Sequence, residues 1–533
     1  MLLTRTRLFV AFFSAALVCP LGARAQLQRS YQVQIEDARL PGHGELRVQV
    51  SANFENWSDQ FARDNANWEN GQRRPLSADY DGPIKAGYFP GLAPVLADLN
   101  SDAGALGFDP IAAPDFRQGK LDFGTVTASR HTFWLNLSLG LLDRFALELA
   151  LPLVRTTADP SFSFNPTGST MTTAASVVPD SVTFFGDYAS AIVQLGALID
   201  GGTLSPPDQM TAEALLATAL DFGAALTRRV RGNLVMPLGG TTAGDQVDGR
   251  YASLESGFVT FGLTLPSFML PTQTSGTDLV GFFTQSLVIA ELLAKTTQGY
   301  ALGEVEPALK VGVLDTFDEE EGSSLELRTA VQALVRIPTG AADQAPFLNP
   351  NNFVSLPIGD GQWDVELSLF QDVGIRWFLL NVAARYGRQL SDQLTLRIRS
   401  PGLRFALAKT EATVNRDLGD YFSLRLAPRV RLGSVVTVGA EYDYWQKGRD
   451  SYALVSTNGT AVNADPLEIH TGQTRHRLGI SVTYSTLQKY REGAANFPVE
   501  LWFVYQGSLA GGGGQTPASE LASLSLLFPI KLF

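Results

Sequence analysis

The chain has 533 residues, 45% of them hydrophobic and 18% charged, with 50 glycines, 32 phenylalanines and a single cysteine. Its 41 basic against 53 acidic side chains give a net charge of −12, which argues against nucleic acid as a partner. A lone cysteine cannot form a disulfide framework, so stability must come from elsewhere.

The N-terminus, "MLLTRTRLFVAFFSAALVCPLGARAQ", has the parts of a secretory signal peptide: Arg5 and Arg7, an apolar core over 8–18, and an Ala23-Arg24-Ala25 cleavage site. The expected leader is 1–25, leaving 26–533 as the mature chain. Cys19 goes with the leader, and Val18 before it is not the small residue a lipoprotein signal needs. Loss of Arg5, Arg7 and Arg24 makes the mature net charge −15. No mature segment reads as a transmembrane helix, since the longest apolar candidate, Leu279 to Ala290, falls short of the roughly 20 residues required. If the mature chain spans a membrane, it does so as a closed β-barrel.

The first predicted strand is "ELRVQVSANFEN". Leu46, Val48, Val50, Ala52 and Phe54 share one face and Glu45, Arg47, Gln49, Ser51 and Asn53 the other. A long loop follows over 57–120. Within it "ADLNSDAGALGFDP" places Asp98, Asn100 and Asp102 two apart, with Asp109 further on, a pattern of oxygen ligands that resembles a calcium loop. The glycine is displaced to Gly104, and a solvated Asp/Asn turn is the plainer reading.

Strands over 133–139 and 145–153 are joined by the short turn "GLLDR". Upward strands recur with proline near their outer ends, at Pro152 in "LALPLV", Pro237 in "LVMPLG" and Pro338 in "VRIPTG". Long loops are expected at 57–120, 156–215, 239–301, 339–361, 389–419 and 447–474. Helices are expected in them near 185–222 and 278–295. Tyr188, Ile192, Leu195 and Ile199 are at helical spacing, and Ser205 caps a second helix with Pro206 and Asp208 in its first turn.

The strands over 421–431 and 435–445 are joined through "LGS", and keeping both apolar faces outward demands an odd turn length. A turn of Leu432, Gly433 and Ser434 places Arg425 opposite Glu441 and Arg429 opposite Thr437. The chain ends on "LSLLFPIKLF", with Leu524, Leu526, Phe528, Ile530 and Leu532 on one face. Aromatic residues near strand ends on the apolar faces, among them Trp363, Phe145, Tyr484 and Tyr505, fit an interfacial girdle better than a water-bathed sandwich. The reading is an all-β transmembrane antiparallel barrel of about 14 strands, within roughly 12 to 16, with both termini in the periplasm.

Three stretches resemble a known family: "LNLSLGLLDRFALELALPLV", "LGEVEPALKVGVLDTF" with "ELRTAVQALVRIPTG", and "PIGDGQWDVELSLFQDVGIRWFLLNVAARYG". They are similar to the outer-membrane barrels associated with the meta-cleavage pathway of phenol degradation, which are distantly similar to long-chain fatty-acid transporters. Where that family usually reads Gly-Leu-Gly-Asp, this chain has Ala-Leu-Gly-Glu at 301–304, and the helical loops look like extra material. The resemblance implies the outer membrane of a Gram-negative-type bacterium, lipid as a partner, and passage of hydrophobic, aromatic or amphipathic small molecules. It also implies that Phe533 is a signal read by the barrel-assembly machinery through the C-terminal strand.

Arg336, Glu326, Arg385, Arg425, Arg429, Arg431, Glu441 and Asp443 fall on inward faces and are the candidate pore lining. Their mixed signs fit a bracing network, or a polar path in which Arg425, Arg429 and Arg431 form a basic ladder. No H-E-x-x-H, G-x-S-x-G or phosphate loop occurs, and no cofactor is implied. The histidines are His43, His131, His470 and His476, of which His470 or His476 could serve an acyl hydrolase as base. A channel, a surface-interaction barrel with a closed lumen, and an enzyme are the three readings, in that order.

Overall fold

The computed structural model describes residues 37–62, 69–79, 82–85, 92–274, 296–297, 299–317, 325–340, 358–398, 411–457, 462–469, 471–514 and 516–532. The expected leader, the helix expected over 278–295, the run "DEEEG" at 318–322, His470 and Phe533 lie outside the described residues.

Twelve strands close into a barrel: β1 Glu45–Trp57, β2 Arg117–Leu142, β3 Phe145–Asn165, β4 Glu306–Asp315, β5 Glu326–Arg336, β6 Asp364–Ile375, β7 Phe378–Gln389, β8 Tyr421–Leu432, β9 Val436–Lys447, β10 Gln473–Ser485, β11 Glu500–Gly512 and β12 Glu520–Lys531. Each pairs with its neighbours in chain order, and β12 returns to β1, so Val48 faces Phe528 on one side and Leu137 on the other.

Burial along these strands is inverted relative to a water-soluble protein. On β6, Asp364, Glu366 and Ser368 are 0%, 3% and 1% exposed, while Val365, Leu367 and Leu369 are 47%, 63% and 46% exposed. A continuous apolar exterior around a polar interior is stable only with hydrocarbon outside. Trp363 and Tyr386 stand exposed at the end of the wall with long connections, and Trp377, Phe145 and Tyr484 at the end with short ones, as an aromatic girdle requires. The chain is thus an outer-membrane β-barrel.

Twelve strands lie within the expected 12 to 16, below the central count of about 14, and the expected strand around "LVMPLG" is not part of the wall. Val235–Pro237 is only three residues long, far short of the 9 to 11 or so a spanning strand needs, and pairs with Met171–Thr173 in a separate two-stranded sheet. The loops expected over 389–419 and 447–474 hold a further three-stranded sheet of Asp392–Arg397, Glu411–Asp417 and Ser451–Thr457, with Leu394, Leu396, Val414 and Tyr452 as its core.

The expected β8–β9 register is also corrected. Leu432 pairs with Val436, so Arg425 faces Asp443 and Arg429 faces Gly439. The turn is Gly433, Ser434 and Val435, one residue later than expected, because the left-handed φ of 75° needed there falls on Gly433 as its first residue. Its length is still odd, so every side chain keeps its face.

The chain divides into two compact units, one of residues up to 78, 125–160 and 295–533, the other of 79–124 and 161–294. The second contains helices α1 Leu92–Ser101, α2 Ser181–Asp200, α3 Pro206–Arg231 and α4 Thr242–Thr260. Ser205 caps α3 by accepting from the Asp208 amide, and Phe184, Tyr188, Phe222, Tyr251 and Phe268 pack into an aromatic core. By length and composition α2 is long and apolar enough to cross a membrane, which the sequence reading missed. Here it packs on α3, with the Tyr188 hydroxyl donating to the Ala219 carbonyl at 2.8 Å.

Candidate functional site

The interior of the barrel is where the buried charges converge. In the half with long connections, Arg336 at the end of β5 reaches Glu306 at 2.6 Å on β4 and Asp364 at 2.7 Å on β6. Its Nη1 also donates to the Tyr421 hydroxyl at 3.1 Å, and that hydroxyl donates to Glu366 at 2.6 Å. Tyr421 crosses the inner surface of β7 to get there, lying where a side chain on Gly387 would stand. Arg385 sits 3.7 Å from Glu366 and over the ring of Phe370.

Two segments outside the wall enter this interior. The first is 358–362, just before β6. Its Ile358 carbonyl accepts from Arg130 on β2 at 3.1 Å, its Asp360 carbonyl from Arg416 at 2.6 Å, and its Asp360 amide donates to Glu304 at 2.9 Å. Since β2 and β6 are separated by three strands in the wall, the contact from Arg130 to Ile358 runs through the lumen. The second is Asp37–Leu40, ahead of β1. The Ala38 amide donates to Asp372 on β6 at 3.0 Å, while Arg39 grips Glu500 on β11 with two hydrogen bonds of 3.1 and 2.6 Å. Burial opposes charge on Asp37, but Arg39, Lys310 and Arg47 outweigh it and hold the carboxyl below the usual range.

Beside the second segment lies a cavity of about 120 Å³ whose lining includes Asp37, Arg39, Glu148, Lys310, Arg336 and Glu366. That volume holds a few water molecules and no extended solute.

No family model and no curated protein matches this chain. Solved structures it is similar to include an outer membrane channel from Pseudomonas putida F1, at 9% identity over 94% of this chain and 100% of that one, with a TM-score of 0.41. The monoaromatic hydrocarbon channel CymD gives 9%, 96%, 95% and 0.25, and OccD3 from Pseudomonas aeruginosa 11%, 94%, 95% and 0.24. At such scores the fold rests on the wall described above and nothing about function follows.

Among the expected lining residues, Arg336 and Arg385 belong to the central network. Arg425 and Arg429 face inward but are not bare charges, since Arg425 lies 3.6 Å from Asp443 and Arg429 donates to Glu441 at 3.1 Å. Arg431 is exposed at the β8–β9 turn, so the expected basic ladder reduces to two ion pairs and one rim residue. Glu326 sits at the short-turn end with its carboxylate against Gly374.

The calcium reading is corrected. Asp98 and Asp102 are taken by Arg228 and Arg229, Asn100 exchanges hydrogen bonds with the backbone of Ile111, and Asp109 accepts from Gln246. Guanidinium groups already supply the positive charge, and no cluster able to hold a metal occurs among the described residues. His131 packs on Phe54 and His476 bonds to Tyr442, both on the outward face.

Sequence reasoning missed the two inserted segments and the role of Tyr421. Their only signal was charged residues in stretches with no strand periodicity, "EDARLP" and "IGDGQ".

Proposed function

We propose that the protein is an outer-membrane channel for small amphipathic solutes, closed in the conformation described. The carrying observation is a membrane barrel whose interior is lined with ion-paired side chains around a cavity of about 120 Å³, lined in part by Asp37 and Arg39 of a segment that belongs to no strand. Such a lining favours solutes that bear a polar or charged group. The aromatic compounds implied by the family resemblance fit it when they carry one, and a purely hydrocarbon solute does not. The paired lining also argues against strong selection for anions or cations. Among the described residues, His131 and His476 are engaged at the outer wall, which supports a non-enzymatic role. Assembly through the C-terminal strand, with Phe533 as its signal, goes with this reading, as β12 is the strand that closes the barrel on β1.

The second reading, a surface-interaction barrel with a permanently closed lumen, is favoured by the density of the Arg336 network. Single-channel recording in planar bilayers separates the two, combined with uptake by vesicles of solute pairs that differ only in a carboxylate or amine. Resolved openings and faster uptake of the charged member of each pair support the channel. A correctly folded barrel that passes no current and no solute under any condition refutes it.

A further inference from the structure

We propose that Asp37–Leu40 is a releasable latch that closes the short-turn end of the lumen. The segment crosses the barrel, touching β4, β5, β6 and β7 on one side and β11 on the other. Lys310 on β4 donates to the carbonyls of Asp37 at 2.8 Å and Arg39 at 3.3 Å, and the Ala38 amide meets Asp372 on β6. The Ala38 methyl is fully buried against Ala330, Phe370 and Ala383, a socket of small side chains around one ring. Across the lumen, Arg39 holds Glu500 bidentately. Asp37 and Arg39 belong to the lining of the central cavity, so the segment is a wall between that cavity and the short-turn end, which faces the periplasm.

The manner of holding is what makes it releasable. The Ala38 amide and the carbonyls of Asp37, Arg39 and Leu40 are satisfied by side chains of the wall, and the Arg39 amide donates to the Asp37 carboxylate at 3.1 Å, with no ladder to any strand. Letting go therefore breaks no strand-to-strand hydrogen bond, and apart from the small apolar contact of Ala38 and Leu40 with Ala330, Phe370 and Ala383 the groups exposed are charged or strongly polar and rehydrate well. The chain is hinged where it leaves the lumen, in "PGHG". Gly44 has a left-handed φ of 70° and its amide bonds to the Gly140 carbonyl, while Gly140 has no side chain to collide with the Gly42 carbonyl. Glu500 is held ready by Ser485 at 2.9 Å, and Asp372 by Asn381 at 2.6 Å, so the socket keeps its shape when the latch leaves.

The test has two readouts, of which only the electrical one rests on the channel reading. Ala38→Cys places a unique thiol in the mature chain under the socket, and its maleimide labelling is followed in the folded, heat-modifiable protein alone, with Arg39→Glu, and with Arg39→Glu plus Glu500→Arg. Conductance is recorded for the same charge variants with Ala38 intact, which keeps the test valid if the cysteine itself disturbs packing. Labelling should be slow in the parent and faster by roughly tenfold to a hundredfold with Arg39→Glu, the weight of one or two charge-assisted hydrogen bonds. It should slow again in the charge swap, and open time should follow the same order. Parent labelling at the rate of an exposed thiol, or labelling indifferent to Arg39→Glu, overturns the latch. Labelling that follows the expected order with no current in any variant keeps the latch and overturns the channel. Equal currents in all variants keep the channel and overturn the latch as its gate.

Discussion

Replacing Arg336 by methionine should destabilise the barrel strongly. The side chain is 7% exposed and lies 2.6 Å from Glu306 and 2.7 Å from Asp364, themselves 8% and 0% exposed, with Glu366 at 3.9 Å and Glu304 at 4.0 Å. Methionine fills much the same volume but leaves Glu306 and Asp364 without the guanidinium that joins them, with only Arg385 beside Glu366 to offset the cluster's charge. Breaking a buried pair by removing one partner costs about 3–5 kcal/mol, and exposures below a tenth leave little solvent to screen the loss. Arg336→Lys keeps the charge but cannot hold Glu306 and Asp364 in one fork, and should cost about 1.5–3 kcal/mol, the worth of one charge-assisted hydrogen bond. The triple change Arg336→Met, Glu306→Gln and Asp364→Asn should recover part of the loss, because it removes the stranded charges. Urea unfolding of the barrel in lipid vesicles, followed by tryptophan fluorescence, gives these differences from the shift in midpoint at constant slope. A loss below about 1 kcal/mol for Arg336→Met would show that lumen water screens the cluster and would refute the reasoning.

Gly387→Ala puts a methyl group into the space held by the Tyr421 ring and should cost about 1–3 kcal/mol in the same assay, with Tyr421→Phe much milder because the ring stays seated. The register of β8 on β9 is open to direct test: cysteines at Arg425 and Asp443 should oxidise to a disulfide readily and cysteines at Arg425 and Glu441 poorly, the reverse outcome restoring the turn of Leu432 to Ser434. In the second unit, Arg229 is fully buried with its Nε at 2.7 Å from Asp102, so Arg229→Met should destabilise that unit by roughly 3 kcal/mol. Trypsin should then cut within 79–124 and 161–294 faster while the barrel keeps its heat-modifiable gel shift. Calcium at millimolar concentration should change neither the unfolding midpoint nor the trypsin pattern, since arginines occupy the ground that a cation would need.

The wall of this protein was legible in the linear chain. Alternation of period two in "ELRVQVSANFEN" or "LSLLFPIKLF" assigns each side chain to lipid or lumen without any knowledge of its neighbours, because the pleat alone sets the face. The same property explains the errors. Sliding β9 by two residues along β8 leaves every face unchanged, so the pattern could not tell Asp443 from Glu441 as the partner of Arg425, and only the left-handed φ of Gly433 in the folded hairpin decided it. Strand number depended on whether "LVMPLG" joined the wall or was drawn into the neighbouring helices and sheet, a competition among contacts far apart in sequence. The lumen belongs wholly to the tertiary structure. Asp37–Leu40 and 358–362 carry no periodicity, and Arg39 meets a glutamate 461 residues away, so their placement follows from the closing of the barrel around them.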